Sequence, residues 1–174
     1  HYLHRRQRQM CIRDRNMESR EFKPFGSVSA LTLGGGGIGN VWGETSKDES
    51  IASVHLALES GIDHLDVAPM YGKGEAERVV GEAIKERSRD SFRLTTKCAL
   101  GSLPDEEVYD RFNTSLIRSL DTMGTDYVDL FLLHSQLIEN DHESQKPDSS
   151  FVATGNLTTL KSFYDAVVPA METL

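Results

Sequence analysis

The chain has 174 residues, a formal net charge of −8, and 38% hydrophobic against 26% charged residues. That suits one soluble domain with a sizeable core, and the acidic balance argues against a nucleic-acid or membrane partner. No apolar run is long enough to cross a bilayer. Two cysteines, Cys11 and Cys98, make no disulfide framework, so a cytoplasmic location is expected.

Residues 1–16 stand apart. They carry five arginines and one acid, Asp14, with no apolar periodicity. They read as a non-native leader ahead of Met17, and residues 17–174 as the domain proper. Val28 to Leu33 reads as the first strand, ending in Gly34-Gly35-Gly36-Gly37. Ser46 with Glu49 is a capping-box pattern. It opens a helix whose Ile51, Val54 and Leu58 share a face and which Gly61 stops. Ile62 to Val67 is the second strand. Glu75 to Arg87 follows as a helix, with Ala76, Val79, Val80, Ala83 and Ile84 on its buried face. Phe92 to Thr96 is the third strand. A helix starting at Pro104 carries Val108, Phe112, Leu116, Leu120 and Met123 inward, and Gly124 ends it. Tyr127 to Leu133 is the fourth strand. A polar loop, Ser135 to Asn156, reads either as a substrate lid or as disordered chain. It leads to a last helix, which Pro169 should kink.

Strands alternating with helices imply a parallel sheet with right-handed crossovers. Two architectures fit: part of a (β/α)₈ barrel, or a doubly wound open sheet. Gly34, Gly36 and Gly39 satisfy the outline of a dinucleotide fingerprint, but that motif needs a helix to begin at its third glycine. Here Asn40 to Thr45 intervene before the cap at Ser46, so a flexible loop at a strand end is the reading preferred. Such a loop still lets backbone approach a cofactor closely.

A second pattern is more informative. Asp66 closes strand two, Tyr71 lies five residues on, Lys97 closes strand three and His134 closes strand four. Each has an ordinary reading, as a polar cap, a snorkelling lysine or a packed ring. In a parallel barrel, however, the C-terminal strand ends open on one face, which carries the chemistry. Tyrosine is a poor proton donor at neutral pH, and a neighbouring ammonium stabilises its phenolate. Lys97 can supply that ammonium, Asp66 can hold Lys97, and His134 can hydrogen-bond a carbonyl oxygen. Such a group polarises C=O and protonates the oxygen. None of the four can give a hydride, so a nicotinamide cofactor is implied. Trp42 reads as a wall of the substrate pocket or as a packing residue, and Cys98 as a small core residue or a redox-sensitive thiol. No metal-ligating pattern is found.

From Phe25 onward the sequence resembles the aldo-keto reductase family. The likeness lies in Val28-Ser29-Ala30-Leu31, Gly61 to Asp66, Ala68-Pro69-Met70-Tyr71-Gly72, Thr96-Lys97, and Asp126 to Leu130 leading to His134. The resemblance implies an NADP(H)-dependent reductase, with NAD(H) as the alternative, acting on a small carbonyl or sugar-like substrate. It implies Tyr71 as general acid/base, Lys97 as the residue that activates it, Asp66 as the partner of Lys97, and His134 as the group orienting the carbonyl. Substrate contacts would come from Trp42, Tyr71 and His134, and cofactor contacts from Gly35, Gly36 and Asp66. It further implies a (β/α)₈ barrel with an N-terminal β-hairpin across its floor, here Glu21 to Thr32 with Gly26-Ser27 in the turn. A typical barrel needs about 250 residues. The expectation is therefore a partial barrel of about four βα units, truncated relative to the family, with open edges on its first and last strands. A non-catalytic nucleotide-sensing subunit with the same barrel is a competing function, because such a protein can keep all four residues.

Overall fold

A computed structural model of the chain describes residues 17–23, 25–101, 103–139 and 156–174. The arginine-rich leader and most of the polar loop, residues 140–155, lie outside the described residues. The chain opens with an antiparallel hairpin, β1 (Ser19–Phe22) and β2 (Gly26–Ser29). The turn falls two residues earlier than the sequence suggests. Gly26 takes a left-handed φ of 70° and starts the second strand. Strand one of the sequence reading is split, since β2 ends at Ser29 and β3 runs Thr32–Gly34.

Four strands then form one parallel sheet in the order β3, β4 (His64–Asp66), β5 (Arg93–Cys98), β6 (Leu130–Leu133). The order never reverses. A doubly wound sheet requires a reversal at its switch point, so the open-sheet alternative fails on topology. It fails locally as well. The glycine run is a single helical turn, α1 (Gly35–Ile38), that ends at Gly39. This corrects the flexible-loop reading. The next helix, α2 (Lys47–Glu59), starts eight residues after Gly39, where Ser46 and Glu49 form both bonds of the predicted capping box.

Helices α2, α3 (Glu75–Ile84) and α4 (Val108–Met123) connect successive strands and pack neighbour to neighbour. The predicted face of α3 is buried throughout, with Ala76, Val79, Val80, Ala83 and Ile84 in a core shared with Val54, Leu65, Leu94 and Met123. Gly81 lets α3 and α4 touch: a Cβ there would lie 2.8 Å from the Met123 backbone. A second core joins Cys98, Leu100, Val108 and Phe112 to Val167 and Ala170. On α4, Val108, Phe112 and Met123 are buried as predicted, while Leu116 and Leu120 are only partly so.

Below β5, Asp129 accepts the Leu94 amide at 2.8 Å and pairs with Arg89, whose guanidinium stacks 3.9 Å from the Tyr127 ring centroid. The Asp-Tyr-Val-Asp stretch is therefore a clamp on the sheet floor. The hairpin reaches the same end, where Phe25 meets His64 edge-on with centroids 6.4 Å apart.

After β6 the polar segment read as loop begins as strand, and a second strand follows it directly. β7 (Gln136–Ile138) and β8 (Leu157–Thr159) pair in parallel. The last helix is three pieces: α5 (Leu160–Ser162), a π-helical turn at Phe163–Val167, and α6 (Val168–Thr173). Pro169 has no N–H to donate, and the wide turn just before it absorbs the lost bond. No helix among the described residues is long and apolar enough to cross a membrane.

Candidate active site

The strand period of two sorts the sheet into two faces. Leu65, Leu94, Thr96 and Cys98 point toward the helices. Thr32, His64, Asp66, Thr95 and Lys97 point the other way. On this second face His64 bridges three strands, with Nδ1 3.1 Å from Thr32 Oγ1 and Nε2 2.7 Å from Thr95 Oγ1.

Asp66 ends β4, as the sequence indicates. Lys97 lies near the end of β5, which runs one residue further, to Cys98. Asp66 is level with Thr95 in the register, so Lys97 starts two residues further along. Its four-carbon stem folds back, and its ammonium donates to Asp66 Oδ1 and to the Val67 carbonyl at 2.9 Å. Lys97 is only 8% exposed. A charge so buried is tolerated because it is paired and hydrogen-bonded. The Lys97 Nζ also lies 4.9 Å from the centroid of the Tyr71 ring.

Tyr71 sits in a turn that the local sequence forces. Gly72, Lys73 and Gly74 all have φ between 55° and 88°. A side chain on Gly72 would put Cβ 1.8 Å from the Gly39 carbonyl oxygen, so glycine alone fits there. His134 follows β6, and its N–H extends the sheet by donating to the Cys98 carbonyl at 2.8 Å. Its ring stands edge-to-face on Tyr71, with centroids 5.8 Å apart and planes at 87°. Burial lowers the His134 pKa, and the Lys97 charge lowers it further against the pull of Asp66. Both effects favour the neutral imidazole, which has one N–H to offer.

The structure thus brings Asp66, Tyr71, Lys97 and His134 together. Gly35 is a packing glycine. A Cβ there would lie 2.9 Å from Val67 and 3.2 Å from the Tyr71 ring. Gly36 lies under Trp42, whose ring would be 2.7 Å from an added Cβ, yet Trp42 is 73% exposed. The indole thus covers the glycine turn and leaves most of its surface to solvent. Cys98 is buried, and burial raises its thiol pKa. That makes it a core residue and not a reactive thiol.

Sequence reasoning missed three contributors. The Val67 carbonyl is a main-chain group that no residue type announces. Glu77 is buried on α3 and accepts the Thr96 hydroxyl at 2.7 Å, directly behind Lys97. A glutamate among apolar helix positions was the available signal. Asn156 bonds around His134 from 22 residues away, which no local pattern reveals.

A parallel sheet wound in one direction, with a paired lysine, a tyrosine and a histidine gathered at its strand ends, defines the class of this α/β protein. The aldo/keto reductase family model matches residues 30–174, and the chain belongs to that family. It is 39% identical over 114 residues to the aldo-keto reductase YhdN of Bacillus subtilis, covering 62% of this chain and 34% of that protein. It is 30% identical over 109 residues to L-galactose dehydrogenase of Arabidopsis thaliana, again covering 62% and 34%. The crystal structure of an aldo-keto reductase from Klebsiella pneumoniae in complex with NADPH superposes with a TM-score of 0.63 at 25% identity. That match covers 91% of this chain and 45% of the other. The chain therefore spans about a third of the length of these curated relatives.

Proposed function

We propose that this chain carries the proton-handling part of an NADP(H)-dependent reductase that converts a small aldehyde, ketone or sugar carbonyl to an alcohol. In this reading its four parallel strands are the first half of a (β/α)₈ barrel. The carrying observation is the buried Lys97 ammonium, held by Asp66 and Val67 and set against the Tyr71 ring. Tyr71 is the general acid. Lys97 stabilises the phenolate left when the proton goes to the carbonyl oxygen. Asp66 fixes Lys97, and the neutral His134 donates a hydrogen bond that orients the same oxygen.

The donor set fits a nicotinamide partner, because every group here exchanges protons and none carries a hydride. When bound, the nicotinamide supplies that hydride. Gly35, Gly36 and Asp66 are the residues of this chain proposed to border it, with NADP(H) preferred over NAD(H) on the likeness to the NADPH-bound Klebsiella structure. Trp42, Tyr71 and His134 are the proposed substrate contacts, with Trp42 as an open wall. The name of the Arabidopsis relative supports a sugar-like substrate as one option.

The test is NADPH oxidation followed across a panel of aldehydes, ketones and aldoses. Saturable turnover of at least one class is expected. NADPH binding without turnover of any of them would replace this reading with a nucleotide-sensing subunit.

A further inference from the structure

We propose that Asn156 is a positioning residue for His134, tying the segment that follows β6 to the loop that follows β5. The inference rests on the reading of His134 as the group that orients the carbonyl. Asn156 lies just before β8, and its polar atoms serve four partners around the site. Its Nδ2 donates to the His134 carbonyl. Its Oδ1 accepts the Gly101 amide at 3.3 Å. Its main-chain carbonyl accepts the Ser135 hydroxyl at 2.9 Å and the Gln136 amide at 3.1 Å.

The orientation of the amide is set by chemistry. The Gly101 N–H can only donate and the His134 carbonyl can only accept, so oxygen must face one and nitrogen the other. Both main-chain polar groups of His134 are then engaged. Its N–H goes to Cys98, next to Lys97 on β5, and its carbonyl goes to Asn156. Because Gly101 follows the same strand, one side chain couples the exits of the two strands that present Lys97 and His134. Neither ring nitrogen of His134 has a hydrogen-bond partner within the described residues. What fixes the ring is its edge-to-face contact with Tyr71 and the pinned main chain beneath it. Freeing the carbonyl lets the ring drift from Tyr71.

Two variants of the isotopically labelled chain test this. Asn156→Ala removes both side-chain bonds. Asn156→Asp keeps the shape and the acceptor for Gly101 but loses the donor to His134. In each, the His134 ring protons should lose the ring-current displacement that Tyr71 imposes, and the His134 titration midpoint should rise toward its ordinary value. Methyl resonances of Leu65 and Val79 should stay in place, showing an intact core. Where the parent turns over, kcat should fall about 10- to 100-fold with little change in KM, as expected for a misplaced catalytic group. If Asn156→Ala does not fold, the isosteric Asn156→Asp carries the test. His134 shifts and midpoint equal to the parent's in a folded variant would overturn the proposal. A displaced His134 with unchanged kcat would support the tether and overturn the catalytic role given to His134.

Discussion

The two faces of the sheet are built from alternate residues of the same strands and do opposite work. On β5, Leu94, Thr96 and Cys98 face the helices, while Thr95 and Lys97 face away. The helix side is a close-packed core in which the carboxylate of Glu77 is buried against the Thr96 hydroxyl. The other side is a polar layer of Thr32, His64, Thr95, Asp66 and Lys97, joined strand to strand by side-chain bonds. A one-residue slip of register would exchange the two. The pairing that buries Leu65 and Leu94 is thus the same pairing that brings Lys97 to Asp66. Folding energy and site geometry are coupled through the register.

Substitutions can separate the two faces. The largest effect is expected for Lys97→Met. Turnover should fall about 10²- to 10⁴-fold, the range of general acid–base assistance, in a steady-state NADPH assay. Stability should fall by less than the roughly 3–5 kcal/mol of a fully buried broken pair, because the Asp66 side chain is 36% exposed. Leu94→Ala, three residues away on the other face, should do the reverse. It should cost about 2–5 kcal/mol in denaturant unfolding and leave kcat per folded molecule unchanged.

Gly72→Ala tests the junction between the faces. Its methyl group has no room beside the Gly39 carbonyl. A loss of about 1–3 kcal/mol is expected, together with reduced turnover from a shifted Tyr71. The smallest effect is a pH dependence. Burial lowers the pKa of both His64 and His134. Each binds its proton more readily when unfolded, so stability should be full above the ordinary histidine value of about 6.5 and decline as pH falls below it. His64→Asn should flatten that decline in unfolding curves taken between neutral and acid pH. An unchanged slope would show that the polar layer does not register its own titration.

Much of this was legible in the sequence wherever a signal was local. The capping box at Ser46, the buried stripe of α3 and the strand-end placement of Asp66 and His134 follow from spacing alone. The errors have physical causes. Polyglycine carries no side-chain pattern, so its sequence does not announce the α1 turn, although Val67 and Tyr71 pack directly on Gly35. The hairpin implied by the resemblance has Gly26-Ser27 in its turn, whereas in the structure the left-handed φ of Gly26 opens the second strand. The extension of β5 past Thr96 to Cys98 has no local signal, because the buried Lys97 is held by Asp66, 31 residues away. Asn156 reaches 22 residues back to His134 and 55 back to Gly101, and only the fold displays these ties.

Delivery of a proton through Tyr71, from the polar face of the strand ends, can be tested directly. Tyr71→Phe removes the hydroxyl and keeps the ring against His134 and Lys97. Its turnover should be measured at saturating NADPH, with cofactor binding followed by fluorescence in the same sample. Parent-like binding with turnover reduced about 10²-fold or more is the predicted result. Turnover equal to the parent's would contradict the account.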